Sequence, residues 1–322
     1  MSPTFGTGDR VLLLDTKQRR YLVTLADGGE FHTHAGFVRH EQLLGEPEGS
    51  VVRSTSGARY TAVRPTLGEF VLKMPRGAQV IYPKDLGPIL VLADIFPGAR
   101  VLESGVGSGA LSMTLVRAGA DVTGYELRED FAAKARSNVT GFLGDGVADR
   151  YRVLIRDVYD GIEETGLDRV VLDLPEPWRV VRTAEKALHA GGILLSYLPT
   201  IGQVAQLRSA LDNSRFAMAE SIEVLQRSWH VEGASVRPDH RMVAHTGFLT
   251  YARLMADASL MSDRRPTADR PETMGPASPA ERLATVDRPT TSDAPPSSDP
   301  PATSATADAR PMAEDTATAD LD

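Results

Sequence analysis

The sequence contains no cysteine. That excludes disulfides, cysteine-ligated zinc and thiol nucleophiles, and it is compatible with a reducing cytosol. No apolar run approaches the about 18 residues that a spanning helix requires. The opening MSPTFGTGDR holds no signal-peptide core, so a cytoplasmic protein without a membrane partner is expected. The seven histidines form no catalytic pattern. His32, His34 and His40 have no acidic cluster at ligand spacing beside them, so they read as turn or core residues and no metal is expected. No aromatic residue follows Tyr251, and ten of the 21 prolines lie beyond Asp257. A segment dominated by Ala, Thr, Ser, Asp and Pro buries too little apolar surface to offset its chain entropy. Residues 257–322 are therefore expected to be a disordered tail without a catalytic role.

The net charge of −8 belongs mostly to that tail, which has 13 acids against 6 arginines. The body, with 30 acids against 29 bases, is nearly neutral. A neutral body still permits a local basic patch that binds phosphate.

Short β-like runs fill the first 75 residues: Arg10 to Leu14, Tyr21 to Thr24, Val51 to Arg53, Tyr60 to Val63 and Phe70 to Lys73. Separated by Gly, Asp and Pro, they predict a small antiparallel β domain over residues 1–75. Lys17, Arg19 and Arg20 in its first hairpin are candidates for phosphate contact. Pro75 to Pro83 reads as a junction, and a helix over Leu86 to Ile95 opens the second domain, residues 76–256.

That second domain is organised around Arg100 to Glu126. An apolar run ends on Glu103, a turn Ser104-Gly105-Val106-Gly107-Ser108-Gly109 follows, a helix begins near Ala110, and a second strand closes on Glu126. This is a βαβ unit. Glycine lets backbone approach a ligand, the helix start offers unpaired N–H groups, and an acid ending the second strand commonly binds ribose hydroxyls. Gly105-x-Gly107-x-x-Ala110 fits a dinucleotide fingerprint weakly. The acid two residues before Gly105 suits a ligand with an ammonium and a sulfonium, S-adenosylmethionine (SAM), and suits a diphosphate badly.

Further strands are predicted over Tyr151 to Ile155, Asp168 to Leu174 and Ile193 to Leu198, with helices over Arg128 to Val139, Pro177 to His189 and Ile201 to Leu211. Ala219 to Leu225 and Phe248 to Leu254 suggest a terminal antiparallel pair. The fold class expected is α/β, a mostly parallel Rossmann-like sheet. Ligands of such sheets sit beyond the carboxyl ends of the strands, where Glu103, Glu126, Asp157 and Asp173 all fall. Asp173-Leu174-Pro175-Glu176-Pro177-Trp178 follows the fourth strand. An aspartate there can accept a hydrogen bond from an exocyclic amine, prolines stiffen the loop, and Trp178 offers a stacking face or a structural plug. A target base must leave its stack to enter such a pocket.

Together, Phe31 to His34, Pro75 to Gly77, Ile81-Tyr82-Pro83-Lys84-Asp85, Glu103 to Leu111, Asp173 to Trp178, Gly191-Gly192 with Tyr197 and Gln203, Arg237-Pro238 and His245 to Leu249 resemble the bacterial, actinobacterial-type tRNA (adenine-N1)-methyltransferase family, which modifies adenine 58 of the T-loop. The resemblance spans about residues 8 to 255. It implies a SAM-dependent methyltransferase domain, a small N-terminal β domain and a homotetramer. It also implies that Asp173 is the catalytic aspartate, that Tyr82 and Tyr197 are pocket tyrosines, that Glu126 holds the SAM ribose and that Asp157 meets the adenine edge. For tRNA contact, Trp178 joins the basic candidates Arg179, Arg182, Arg237 and Arg241. The short loop Arg117 to Asp121 and the proline-rich tail depart from many relatives without touching these motifs. The rival readings are a SAM-dependent methyltransferase of a protein or small molecule, an NAD-dependent oxidoreductase, and a non-catalytic tRNA-binding subunit.

Overall fold

The computed structural model describes residues 4–77 and 79–257; apart from Asp257, the expected disordered tail lies outside the described residues. Six short strands come first: β1 (Arg10–Asp15), β2 (Arg20–Thr24), β3 (Glu30–Thr33), β4 (Gly36–Arg39), β5 (Val51–Arg53) and β6 (Arg59–Val63). Four of them form an antiparallel sheet in the order β2-β1-β6-β5, while β3 and β4 pair as a separate hairpin. Val11, Leu12 and Leu13 are buried in succession, so both faces of β1 are covered. Val11 and Leu13 share a core with Phe5, Leu25, Val38 and Tyr60. The sequence reading missed β3 and β4, whose residues Glu30 to Arg39 mix His, Thr and Gly and offer no apolar run.

Phe70 to Lys73, expected as a strand, is instead the end of helix α1 (Leu67–Lys73). Thr66 and Glu69 form a reciprocal cap: the Thr66 hydroxyl accepts from the Glu69 N–H at 3.3 Å, and the Glu69 carboxylate accepts from the Thr66 N–H at 3.0 Å. Two otherwise orphaned donors are satisfied, which decides for helix over strand. Phe70 and Val71 then pack into the core of the following sheet, with Phe70 stacked on Phe142 at 4.6 Å between ring centroids.

The remaining elements are α2 (Pro83–Leu92), β7 (Arg100–Ser104), α3 (Ala110–Arg117), β8 (Asp121–Glu126), α4 (Glu129–Leu143), β9 (Tyr151–Ile155), β10 (Leu167–Leu172), α5 (Val181–Ala187), β11 (Leu188–Leu198), α6 (Ile201–Asp212), β12 (Phe216–Glu223), β13 (Trp229–Glu232), β14 (Ser235–Pro238) and β15 (Phe248–Leu254). Seven strands form one sheet in the order β12-β15-β11-β10-β7-β8-β9. The five from β11 to β9 are mutually parallel, and β15 runs against both its neighbours. One apolar layer gathers α2, α3 and α4, and the other gathers α5 and α6.

The chain leaves β7 towards β8 and β9, then returns to lay β10 on the other side of β7. The switch point therefore lies between β7 and β10, where open α/β sheets open a ligand crevice. In register, Ser104 faces Leu172, so Gly105 and Asp173 leave their strands side by side.

The helix expected to reach His189 ends at Ala187, and β11 starts at Leu188 rather than Ile193. A register shift between Leu167 and Arg169 takes up the Gly191-Gly192 step. The hairpin β13–β14 was not expected either, because its turn, Gly233-Ala234, is flanked by only four paired residues on each side. No helix among the described residues is long and apolar enough to cross a membrane.

Candidate active site

Glu103 is the penultimate residue of β7 and is wholly buried. Its carboxylate accepts from the Ser112 hydroxyl of α3 at 2.6 Å through Oε2, while Oε1 has no hydrogen-bond partner. Burial pushes this carboxyl up to about 8, and the nearby charges of Asp173 and Glu126 push in the same direction. A buried polar atom without a partner is costly. Its place at the crevice suits a cationic ligand, which would satisfy it.

The glycine turn is shaped by what surrounds it. Gly105 has φ +85°, and a Cβ there would lie 2.0 Å from the Asp173 carbonyl oxygen. The position is closed to any side chain, both by conformation and by space. Gly109 caps α3 and packs its bare Cα against Ala135 and Val139 of α4. The Val106 side chain reaches back over Gly124, where a Cβ would stand 2.7 Å from it. The Ser104 hydroxyl donates to the Tyr125 carbonyl at 3.4 Å. Asn138, buried in α4, donates to the Ser108 carbonyl at 3.0 Å and to the Pro75 carbonyl at 2.9 Å. It thereby ties the turn to the junction segment.

Glu126 ends β8, and its carboxylate accepts from the Gly107 N–H at 2.9 Å and from the Arg128 N–H at 3.0 Å. Asp157 follows β9 and caps a short turn, accepting from the Tyr159 N–H at 2.9 Å. Asp173 follows β10, and its own N–H donates to the Ser104 carbonyl at 2.9 Å. Burial pushes its carboxyl up to about 7. Tyr197, near the end of β11, donates its hydroxyl to the Thr246 carbonyl at 2.5 Å. Its hydroxyl, raised to about 12 chiefly by burial, also feels Asp85, Asp173 and Tyr82. Tyr82 sits just before α2 as its N-cap residue.

The structure thus brings Glu103, Ser104 to Gly109, Glu126 and Asp173 to one crevice, with Tyr197 near both Asp173 and Tyr82. Asp157 stands one strand further out. Trp178 is half-buried against the α5–α6 core. Arg179 is paired with Glu176 at 2.9 Å and lies over the Tyr159 ring. Arg182 is paired with Glu185 at 3.3 Å, Arg19 with Asp15 at 2.6 Å and Arg20 with Glu69 at 3.0 Å. Lys17, Arg237 and Arg241 are exposed, Arg237 on β14 and Arg241 just after it. His32 lies on β3 and His34 in the turn after it, both away from this crevice, and buried His40 accepts from the Ala26 N–H at 3.1 Å. Among the described residues, no group of three or more His, Asp and Glu is placed to hold a metal.

Sequence reasoning missed Ser112 and Asn138, and it gave no separate role to Asp85 and Thr246 within the segments that carry the resemblance. Ser112 left one signal: it is a polar residue on a helix whose other positions from Ala110 to Val116 are nearly all apolar, and it is fully buried.

An acid-tipped first strand, a glycine turn at the switch point, an acid ending the next strand and one reversed strand near the sheet edge together define a Rossmann-like SAM-dependent methyltransferase. The model of the tRNA methyltransferase complex GCD14 subunit family matches residues 60–237, and that of the TrmI-like N-terminal domain matches residues 4–52. The chain belongs to this GCD14/TrmI family of tRNA methyltransferases. It is 40% identical to the tRNA (adenine(58)-N(1))-methyltransferase TrmI of Thermus thermophilus over 76% of this chain and 96% of that one. It is 34% identical to the tRNA (adenine(57)-N(1)/adenine(58)-N(1))-methyltransferase TrmI of Methanocaldococcus jannaschii over 76% and 94%. Among solved structures, the tRNA (m1A58) methyltransferase TrmI of Aquifex aeolicus superposes with a TM-score of 0.69 at 29% identity, covering 79% of this chain and 100% of that one. A SAM-dependent O-methyltransferase of Thermotoga maritima gives 0.75 at 33% identity, covering 79% and 96%.

Proposed function

We propose that the protein transfers a methyl group from SAM to N1 of adenine 58 in the tRNA T-loop. The observation that carries this reading is the pair of strand tips at the switch point. Glu103, wholly buried with an unpartnered oxygen, lies on the glycine-turn side, and Asp173 leaves the adjacent strand with its carbonyl oxygen 2.0 Å from where a Gly105 Cβ would stand. Incubation of the purified protein with SAM and unmodified tRNA, followed by nucleoside mass spectrometry, is expected to give 1-methyladenosine at position 58. A methyl group found on another nucleoside, or on protein, would overturn the assignment.

The residues present fit the donor. The glycine turn and Asp173 line one recess, and Glu103 supplies an unpaired oxygen. Glu126 and Asp157 are acceptors for its ribose hydroxyls and adenine edge. Bound there, SAM supplies a sulfonium methyl that the adenine N1 lone pair can take, sulfur leaving as a neutral thioether. Asp173 accepts a hydrogen bond from the exocyclic amine of the target adenine and holds N1 in line. Its negative charge offsets the positive charge that grows on the base, in a site with little water to screen it. The Tyr197 hydroxyl donates its hydrogen bond to the Thr246 carbonyl, which holds the ring as a wall of the pocket.

Trp178, Arg179, Arg237 and Arg241, with Lys17, Arg19, Arg20 and Arg182, are the tRNA-facing candidates. Those already paired with an acid release few counterions on meeting phosphate. Arg237→Ala and Arg241→Ala are therefore expected to weaken tRNA binding and flatten its salt dependence, whereas Arg19→Ala leaves both nearly unchanged. Filter-binding titrations from 50 to 200 mM salt check this, and salt-insensitive binding by the parent would remove the phosphate reading. The protein works in the cytoplasm, where its substrate is processed.

Self-association as a homotetramer is supported by Trp229, Val231 and Val236 on the hairpin β13–β14, each more than half exposed. Exposed apolar side chains gathered on one hairpin mark an interaction face. Native mass spectrometry is expected to show four copies for the parent and smaller species for Val231→Glu; a monomeric parent would dismiss this assembly.

A further inference from the structure

Lys84 and Asp85 are consecutive residues in the first turn of α2, and both side chains are almost wholly buried, at 2% and 0% exposure. The Lys84 ammonium donates to both carboxylate oxygens of Asp85, at 2.8 and 3.1 Å, and to the Val224 carbonyl at 2.6 Å. A buried ion pair is a poor way to stabilise a fold, since desolvation offsets most of the attraction. What this pair does is fix a third group. Oδ2 of Asp85 also accepts from the Thr246 hydroxyl at 2.7 Å. The carbonyl of the same Thr246 accepts from the Tyr197 hydroxyl at 2.5 Å. Gly247 then passes directly against the tyrosine ring, where any Cβ would stand 2.4 Å from Cζ. Three stretches far apart in sequence, at residues 84–85, 197 and 246–247, are locked into one arrangement with Asp173 beside it.

Resting on the functional reading above, we infer that the buried Lys84–Asp85 pair is a positioning device that acts through Thr246 to fix Tyr197 in the wall of the target-base pocket. Neither Asp85 nor Thr246 touches the reacting atoms. The Thr246 hydroxyl holds its own peptide unit in the orientation that presents the carbonyl to Tyr197. Without that hydroxyl the loop before β15 is free to turn, and the ring follows it. A misplacement of about 1 Å at such a wall is enough to lower turnover substantially.

The test is a double-mutant cycle on the full chain with Thr246→Val, Thr246→Ser and Tyr197→Phe. Thr246→Val is expected to lower kcat for tRNA methylation about tenfold while the Kd for SAM stays within about twofold. Thr246→Ser restores kcat. The double variant Thr246→Val/Tyr197→Phe is no slower than Tyr197→Phe alone, because the threonine acts only through the tyrosine. A structural role would not produce that non-additivity. A second readout needs no activity: in protein labelled at tyrosine 13Cζ, the resonance lost in Tyr197→Phe moves in Thr246→Val and stays in place in Thr246→Ser. Parental kcat in Thr246→Val, multiplicative losses in the double variant, an unmoved Tyr197 resonance, or a Thr246→Val chain that fails to fold when Tyr197→Phe folds would each overturn the inference. A parent that methylates no tRNA defeats the functional reading instead, and the resonance still decides whether Thr246 holds Tyr197.

Discussion

Asp173→Ala is expected to lower kcat for tRNA methylation about 10²- to 10³-fold while leaving the Kd for SAM within a few-fold. The size follows from what one preorganised electrostatic partner of a developing charge is worth in an enclosed site. The selectivity follows from position. The Asp173 backbone supports the glycine turn, through the N–H given to Ser104 and the carbonyl that crowds Gly105. Removal of the carboxylate leaves both backbone contacts in place. Single-turnover rates and calorimetric SAM binding separate the two effects, and parental turnover in the variant would refute the role. The pH dependence carries the same information. Burial pushes the carboxyl up to about 7, and only the ionised form can offset positive charge on the base. With SAM saturating, kcat/KM for tRNA is thus expected to fall as pH drops through about 7 and to level off above it. Asp173→Asn should be slow at every pH and lack that inflection.

Glu103→Gln is expected to weaken SAM binding about 10- to 100-fold, the worth of a charge-assisted hydrogen bond, and at the same time to stabilise the ligand-free protein at alkaline pH. The sign follows from the raised carboxyl, at about 8 in the fold against 4.5 for a free side chain. The folded state holds a proton that the unfolded chain gives up. Its stability contribution is therefore full below about 4.5 and is lost as pH rises through about 8. Glutamine resembles the protonated form and escapes that loss. At pH 9 the variant should be more stable by an amount on the order of a few kcal/mol, and at pH 5 the two should melt together. Thermal melts at both pH values check the stability arm. A cationic donor favours the ionised carboxylate, so the parental affinity for SAM should rise with pH towards about 8 while that of the variant stays flat. Equal affinity in both proteins would show that Glu103 does not meet the donor.

The parts of this site that the sequence revealed are those fixed by local chemistry. Glu103, the three glycines and Glu126 lie within one βαβ unit, where strand, turn and helix spacing declare the crevice directly. Asp173 is further along the chain, yet the DLPEPW loop after a buried strand marks it. The misread segments have an equally local cause. Phe70 to Lys73 is apolar enough for a strand, and the Thr66–Glu69 cap, present in the sequence as T-x-x-E, outweighs that propensity. The short pairs β3–β4 and β13–β14 hold too few alternating residues to register. What no local pattern could show is the joining of Asp85 to Thr246 across 161 residues, or the neutralisation of Arg20 by Glu69, which pairs the N-terminal sheet with α1. Those depend on which surfaces tertiary packing brings together.

The last described strand, β15, is not at the edge of its sheet. It lies between β11 and β12, and β12 has no other strand partner. Translation therefore delivers β12 before the strand it pairs with, and the ladder on β11 stays open until Leu254 has left the ribosome. A nascent or truncated chain that stops short of Phe248 exposes the long apolar edge of β11, Ile193 to Leu198, which is a template for pairing with other chains. Such chains are expected in the insoluble fraction, whereas chains ending beyond Leu254 remain in solution. Closure of the sheet thus waits for its last strand in sequence, and termination before that strand is punished by aggregation rather than by a partly working enzyme.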